Sequence, residues 1–421
     1  MTFESFAQAH EYLLLSTFII TFILGGVVNK TNFCTMGAVS DVVNIGSYDR
    51  FRAWLLAIAV ALLTTTLLEY LGLVNLDGTF PPYRGGNIIV AEHIIGGIIF
   101  GIGMTFASGC GNKTIVRLGA GNLKSLIVIV IISIFAYYMV NPFPNSDQTI
   151  FSLLFFDWIR PMSISLTTPS DLGSIISTEN AQITRLICGL LIGFGLLYYA
   201  FKSAEFRASR NNIIAGIVVG LAVTSLWWIS SNANIFIDEE TYTMSSYYDE
   251  WDMLSDTEEG KPARAATLNT QSLTFINPIG QIYGYFKSAF NSSELTIGLF
   301  SVFGVIFGSF VWSLFSKSFR IEWFVDLKDF LNHMVGAIMM GVGAVLALGC
   351  TIGQGITGIS TLAVGSFLTF FSIVFGSAIT MKTQYYRMVY DEASILDALL
   401  SSLVDMRLLP NTVRKLEALD D

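Results

Sequence analysis

Charge is what this sequence has least of. Only 13% of its 421 residues are Asp, Glu, Lys or Arg, against roughly 25% in an average soluble domain. With 53% of residues hydrophobic and a mean hydropathy of +0.61, both a soluble globular fold and a disordered chain are excluded. Cysteine is scarce as well. The four residues include no Cys-x-x-Cys and no closely spaced His/Cys pair, which removes the signatures of structural zinc, a thioredoxin-like dithiol and a disulfide scaffold. Nine prolines rule out a collagen-like chain. No basic cluster is dense enough for nucleic acid, no Gly-rich phosphate loop is complete, and chain order offers no catalytic triad. No cofactor, no resident metal and no catalytic residue are therefore expected, and the chain reads as a non-enzyme.

The long apolar runs carry the positive information. Nine stretches reach the length a bilayer crossing needs, about 20 residues or fewer where helices are broken: roughly 12–28, 51–75, 92–109, 122–140, 183–201, 212–230, 294–316, 330–349 and 361–380. The expected fold is an all-α polytopic membrane protein with re-entrant or short helices between spans. Residues 29–45, NKTNFCTMGAVSDVVNI, are too polar and too short to cross and read as re-entrant, which is tolerable only where protein or water covers the backbone. Lys and Arg in the short connections (Arg50, Arg52, Lys113, Arg117, Lys124, Lys202, Arg207, Arg210, Lys317, Arg320, Lys328) place those connections in the cytoplasm. The N-terminus is then outside and the tail from Lys382 inside. Nine acidic residues and no basic one occupy 238–259. That outer loop would repel an anion and reads as a solvated linker or a partner-binding loop rather than a funnel.

The chain also repeats itself. Residues 92–110 (EHIIGGIIFGIGMTFASGC) and 332–350 (NHMVGAIMMGVGAVLALGC) align without gaps at an offset of 240, with eight identities: His93/His333, Gly96/Gly336, Ile98/Ile338, Gly101/Gly341, Gly103/Gly343, Ala107/Ala347, Gly109/Gly349 and Cys110/Cys350. A duplication is the expected source. Under the charge assignment the two copies run in opposite directions, so an inverted internal repeat is expected, with a site near the midplane between broken helices. The organisation read from this is a transport domain over 1–381 (repeat 1 about 12–140, linker span 183–201, repeat 2 about 212–380) and a cytoplasmic helical tail over 382–421.

Each repeated helix ends at Gly-Cys. Glycine there permits the dihedral a helix C-terminus often needs. A second short helix starting at Asn112 and at Thr351 would turn its N–H groups back on the cysteine as an anion-binding cup. Apolar surroundings keep such thiols uncharged. A neutral S–H is a weak donor and a soft, polarizable neighbour, suited to an anion with a terminal sulfur. Cys34, on the re-entrant segment, is placed to reach the same axis, with Ile276 in the approximate matching place of the second half. Cys188, in LICGLLIG, reads as a small core hydrophobe.

The motifs NFCTMGAVSD (32–41), GCGNKTIVRLGAGNLKSL (109–126), FRIEWFVD (319–326) and GCTIGQGITGIS (349–360) resemble those of the YeeE/YedE family over most of 12–380. The resemblance implies a bacterial inner-membrane protein that imports thiosulfate, or a related sulfur or selenium anion, along cysteines, here Cys34, Cys110 and Cys350. The motif residues Gly109, Gly111, Asn112, Lys113, Gly349, Thr351, Gly353 and Gln354 would support them. The family's Cys-x-x-Gly is kept at Gly353 and departs at Lys113. The expected partners are a small inorganic anion, the lipid bilayer and a cytoplasmic sulfur-carrier protein. Two other readings stand beside the permease: a membrane sulfurtransferase with a persulfide cysteine, for which Lys113 gives some footing, and a sulfur- or selenium-trafficking scaffold acting through the tail.

Overall fold

The computed structural model describes the chain except residue 238 and the segments 255–259, 263–267 and 419–421. Asp238, Asp256, Glu258 and Glu259 of the acidic loop thus lie outside the described residues. The main helices are α1 (Phe6–Thr31), α2 (Thr35–Ile45), α3 (Asp49–Tyr70), α4 (Val90–Phe106), α5 (Gly111–Gly119), α6 (Leu123–Val140), α7 (Ala181–Phe201), α8 (Arg210–Asn232), α9 (Ile276–Lys287), α10 (Ile297–Phe315), α11 (Leu327–Leu346), α12 (Val364–Val389) and α13 (Ile395–Asp405). Nine candidate membrane spans occur among the described residues, matching the nine apolar stretches. The first span starts earlier than hydropathy alone indicated, because Ser5 accepts the Gln8 N–H and caps α1. Sheet is minor. β1 (Thr2–Phe3) pairs in parallel with β2 (Asn234–Ile237), which pairs antiparallel with β3 (Glu240–Thr243).

The two repeat copies meet at the centre. A Cβ on Gly96 would lie 2.6 Å from the Ala347 nitrogen and 2.8 Å from the Gly343 oxygen. A Cβ on Gly336 would lie 2.6 Å from both the Ala107 nitrogen and the Gly103 oxygen. Each contact is the image of the other under the 240-residue offset. The N-terminal glycine of one helix meets the C-terminal glycine of the other, so α4 and α11 cross antiparallel with their backbones touching. The same relation joins Gly101 to Ile373 of α12 and Gly341 to Ile132 of α6. This is an inverted repeat built on small-residue packing, the mode by which helices associate where lipid removes the hydrophobic drive.

One consequence is measurable. Gly336→Val should destabilise the protein by about 1–3 kcal/mol or more, since the branched side chain must push backbone atoms apart. Gly195→Val on α7, where a Cβ would meet nothing within 4 Å, should be nearly neutral. Thermal unfolding midpoints of the two variants in detergent check this, and equal midpoints would remove the close-packed crossing.

Candidate functional site

All three repeat-associated cysteines sit at helix N-termini. Cys34 is the N-cap of α2 and Cys110 the N-cap of α5, so the first-half short helix begins at Gly111, one residue before the expected Asn112. Cys350 precedes a helical turn at Thr351 that continues as a π-helical segment, Gly353–Gly358. Such π segments concentrate at functional sites. Each sulfur faces the backbone N–H three residues on, at Gly37, Lys113 and Gly353, the last at 3.5 Å. At Cys350 the sulfur takes the place an N-cap oxygen holds in ordinary helices.

The chain break itself is made differently from the sequence expectation. The left-handed residues are Ser108 (φ 55°) and Leu348 (φ 58°), not the glycines that follow. The N–H groups of Gly109 and Gly349 bond back to the Met104 and Ala344 carbonyls at 2.9 and 2.7 Å, a Schellman closure in both halves. Non-glycine residues in this region are strained, and such strain gathers where function requires a fixed backbone. The glycines serve space. A Cβ at 109 would lie 3.2 Å from Lys113 Cγ and one at 349 would lie 3.0 Å from Gln354 Cγ.

The tertiary fold then brings two of the cysteines together. The Cys34 and Cys110 thiols lie against each other, and the Thr351 hydroxyl faces Cys110 from the other half. Thr351 is covalently next to Cys350, so a single residue separates the two cups. Gly349 borders a cavity of about 320 Å³ lined by Phe80, Pro82, Tyr137, Asn277 and Leu348 among others. At the Cys34 end stand cations: Lys113 donates to Asn32 Oδ1, Arg117 donates to the Ser108 carbonyl at 2.6 Å, and Arg50 pairs with Asp41. Cys188 lies apart on α7 and is partly exposed.

Several polar atoms of residues next to the cysteines are buried without partners. Among the described residues these include Thr35 Oγ1, Asn112 Oδ1 and Thr351 Oγ1, as well as Thr274 Oγ1, against which Gly353 packs, and the Tyr83 hydroxyl. Each such group costs about 1–3 kcal/mol when buried unpaired, and such groups call for an explanation such as a bound polar guest or water. Gln354, in contrast, is committed to the wall. Its Nε2 donates to the Ala347 carbonyl at 2.9 Å and its Oε1 accepts from Ser366 at 2.6 Å.

Sequence reasoning missed Thr274 and Tyr83. The 240-residue offset could have pointed to the first: it sets Thr274 opposite Cys34, and a Cβ on Gly353 would lie 2.6 Å from its hydroxyl. Ile276 packs instead against Gly111. Tyr83 lies in the connection between α3 and α4 and carries no motif. Glu69 is fully engaged, pairing with Arg84 and with Arg185 at 3.0 Å. Among the described residues no group of three His, Cys, Asp or Glu side chains is placed to hold a metal ion.

Two curated relatives are each 24% identical to the chain: a thiosulfate transporter TsuA of Escherichia coli (strain K12), over 82% of this chain and 87% of the relative, and a thiosulfate transporter TsuA of Spirochaeta thermophila, over 85% and 95%. The resemblance carried by the Gly-Cys motifs is matched by a family model described as sulphur transport, which covers residues 30–379. With nine apolar helices and that coverage, this chain is a multi-pass membrane protein and belongs to the sulphur transport family.

Proposed function

We propose that the chain is an inner-membrane permease that imports thiosulfate, or a closely related sulfur oxyanion, along Cys350, Cys110 and Cys34. The observation that carries this reading is the meeting of the Cys34 and Cys110 thiols with Thr351, the residue next to Cys350, beside cationic Lys113 and Arg117. The names of the relatives support the choice of anion. Lys and Arg at or just past the ends of α1, α7 and α10, on α5, and at the starts of α3, α6 and α11 support a cytoplasmic assignment for that side, with the N-terminus outside.

On this reading the anion enters the cavity and passes Gly349. Its terminal sulfur accepts the Cys350 S–H while its oxygens meet the helix N–H groups and the Thr351 hydroxyl. It exchanges to Cys110, then to Cys34, and leaves beside Lys113 and Arg117. No covalent bond forms. Weak individual contacts suit conduction, which needs sites loose enough to release. A dianion moving inward against an interior-negative potential costs about 4.6 kcal/mol per 100 mV, twice the single-charge value, so net uptake needs a coupled cation or rapid consumption inside. A cytoplasmic sulfur-carrier protein would collect the anion at the cationic side. Gly109, Gly111, Gly349 and Gly353 keep the backbone close to the path, and Asn112 and Thr351 supply polar atoms to it.

Growth tests the proposal. A host unable to assimilate sulfate, carrying this chain, is expected to grow on thiosulfate as sole sulfur source at a rate well above the empty-vector control. Absence of growth with the protein present in the membrane would overturn it.

A further inference from the structure

The Cys34 cup has a cationic neighbour to which the relay gives no part. Arg50 lies in the first turn of α3, which packs against α2. Its Nε and Nη2 both donate to Asp41 of α2. The third nitrogen, Nη1, makes no hydrogen bond among the described residues. It lies against the first turn of α2 instead. The place that a Gly37 Cβ would take is 2.5 Å from Arg50 Nη1 and 3.7 Å from Cys34 Cβ. Glycine at 37 therefore leaves room for a guanidinium nitrogen beside the thiol.

The arrangement spans the last step between protein and water. The Arg50 side chain is 35% exposed, whereas Cys34 is 5% exposed. Thr35, the first residue of α2, is buried with its hydroxyl unpartnered. Lys113 and Arg117 each spend a donor on Asn32 Oδ1 and on the Ser108 carbonyl. The Asp41 carboxylate grips the planar guanidinium by two of its nitrogens, which fixes the direction of the third. It also offsets most of the positive charge. Nη1 is thus a directed donor without the full pull of a bare cation, and such a site can hold an anion and still let it go.

We propose that Arg50 is a further anion-binding residue at the exit, its Nη1 donating to an oxygen of the anion while Cys34 meets the sulfur end, and that Asp41 is the positioning residue that aims it. This rests on the thiosulfate reading above. The thiol and the guanidinium are unlike donors, one soft and one hard, and an anion with a terminal sulfur and an oxygen-bearing centre satisfies both. The contact belongs to one face of the path only, since Arg50 stands at the Cys34 end and the cavity of about 320 Å³ borders Gly349.

Transport of labelled thiosulfate by vesicles holding the whole chain in one known orientation tests this from each face in turn. Arg50→Gln removes the donor. A double variant, Arg50→Gln with Asp41→Asn, removes it without stranding the carboxylate. Both are expected to raise the KM about tenfold for thiosulfate offered at the Arg50 face and to leave it within twofold of wild type at the cavity face, with the thermal midpoint of the double variant unchanged. A KM within twofold at the Arg50 face in the double variant overturns the role of Arg50 alone. An equal rise at both faces, or a double variant that no longer folds, overturns it as well, in favour of a purely structural ion pair. No transport by wild-type vesicles overturns the thiosulfate reading itself, and the inference with it.

Discussion

Replacing Cys110 or Cys350 by Ala is expected to lower thiosulfate uptake at least 100-fold while leaving the amount of protein in the membrane unchanged. Both thiols are fully buried, so each substitution deletes one sulfur atom from a packed wall, a structural cost of about 1 kcal/mol in line with removal of a small group from a core. Transport has no such tolerance. Thr351 faces Cys110 and adjoins Cys350, so loss of either thiol leaves a gap in the donor line, filled by a methyl group that cannot hold an anion. Ser at these positions keeps a donor but loses the soft, polarizable atom, and should recover only a small part of the flux. Labelled uptake with immunodetection of the membrane fraction decides the matter. Rates within threefold of wild type in both Ala variants would remove the thiol relay and leave the family assignment untouched.

The second large effect is expected far from the thiols. Asp171 is completely buried and accepts from Arg185 Nε and Nη2, both at 2.9 Å, while capping the Ser174 N–H at 3.0 Å. Burial pushes its carboxyl up, and the Arg185 hydrogen bonds and the field of Arg84 outweigh that, holding it below the usual aspartate range. Asp171→Ala leaves Arg185 shielded with only part of its counter-charge, and breaking a buried pair in this way costs about 3–5 kcal/mol. A thermal midpoint in detergent should fall accordingly, and a loss below about 1 kcal/mol would show the cluster to be dispensable. Replacing Asp171 and Arg185 together by apolar residues should recover much of the loss, because no charge is then stranded. Uptake should also suffer in the single variant. The same segment holds the far end of the second cup: Leu172 N–H bonds the Leu362 carbonyl at 3.1 Å, Val364 N–H bonds the Ser170 carbonyl at 3.0 Å, and Arg84 Nε bonds the Thr361 carbonyl at 2.9 Å.

Much of the frame was legible beforehand, for identifiable reasons. Span number follows from apolar run length, which the bilayer thickness imposes locally. The inverted repeat followed from one constant offset and was borne out by the mirrored contacts of Gly96 with Ala347 and of Gly336 with Ala107. What misled was the chemistry of single positions. Glycine before cysteine suggested a left-handed cap, yet the break uses Ser108 and Leu348, because the Schellman geometry places that conformation one residue earlier. Gln354, expected only as a support of the cysteines, bonds the Ala347 carbonyl and Ser366.

By itself, then, the sequence determined that this chain is a multi-pass membrane protein, that one helix recurs at an offset of 240 residues, and that each copy breaks beside a cysteine. These are local or periodic properties, written in run length, spacing and offset. Only the tertiary structure decided that Cys34 meets Cys110 and that Thr351 of the other half faces Cys110. Whether a buried polar atom is free to hold a guest depends on which neighbours have already bonded one another, and that is a property of residues hundreds of positions apart.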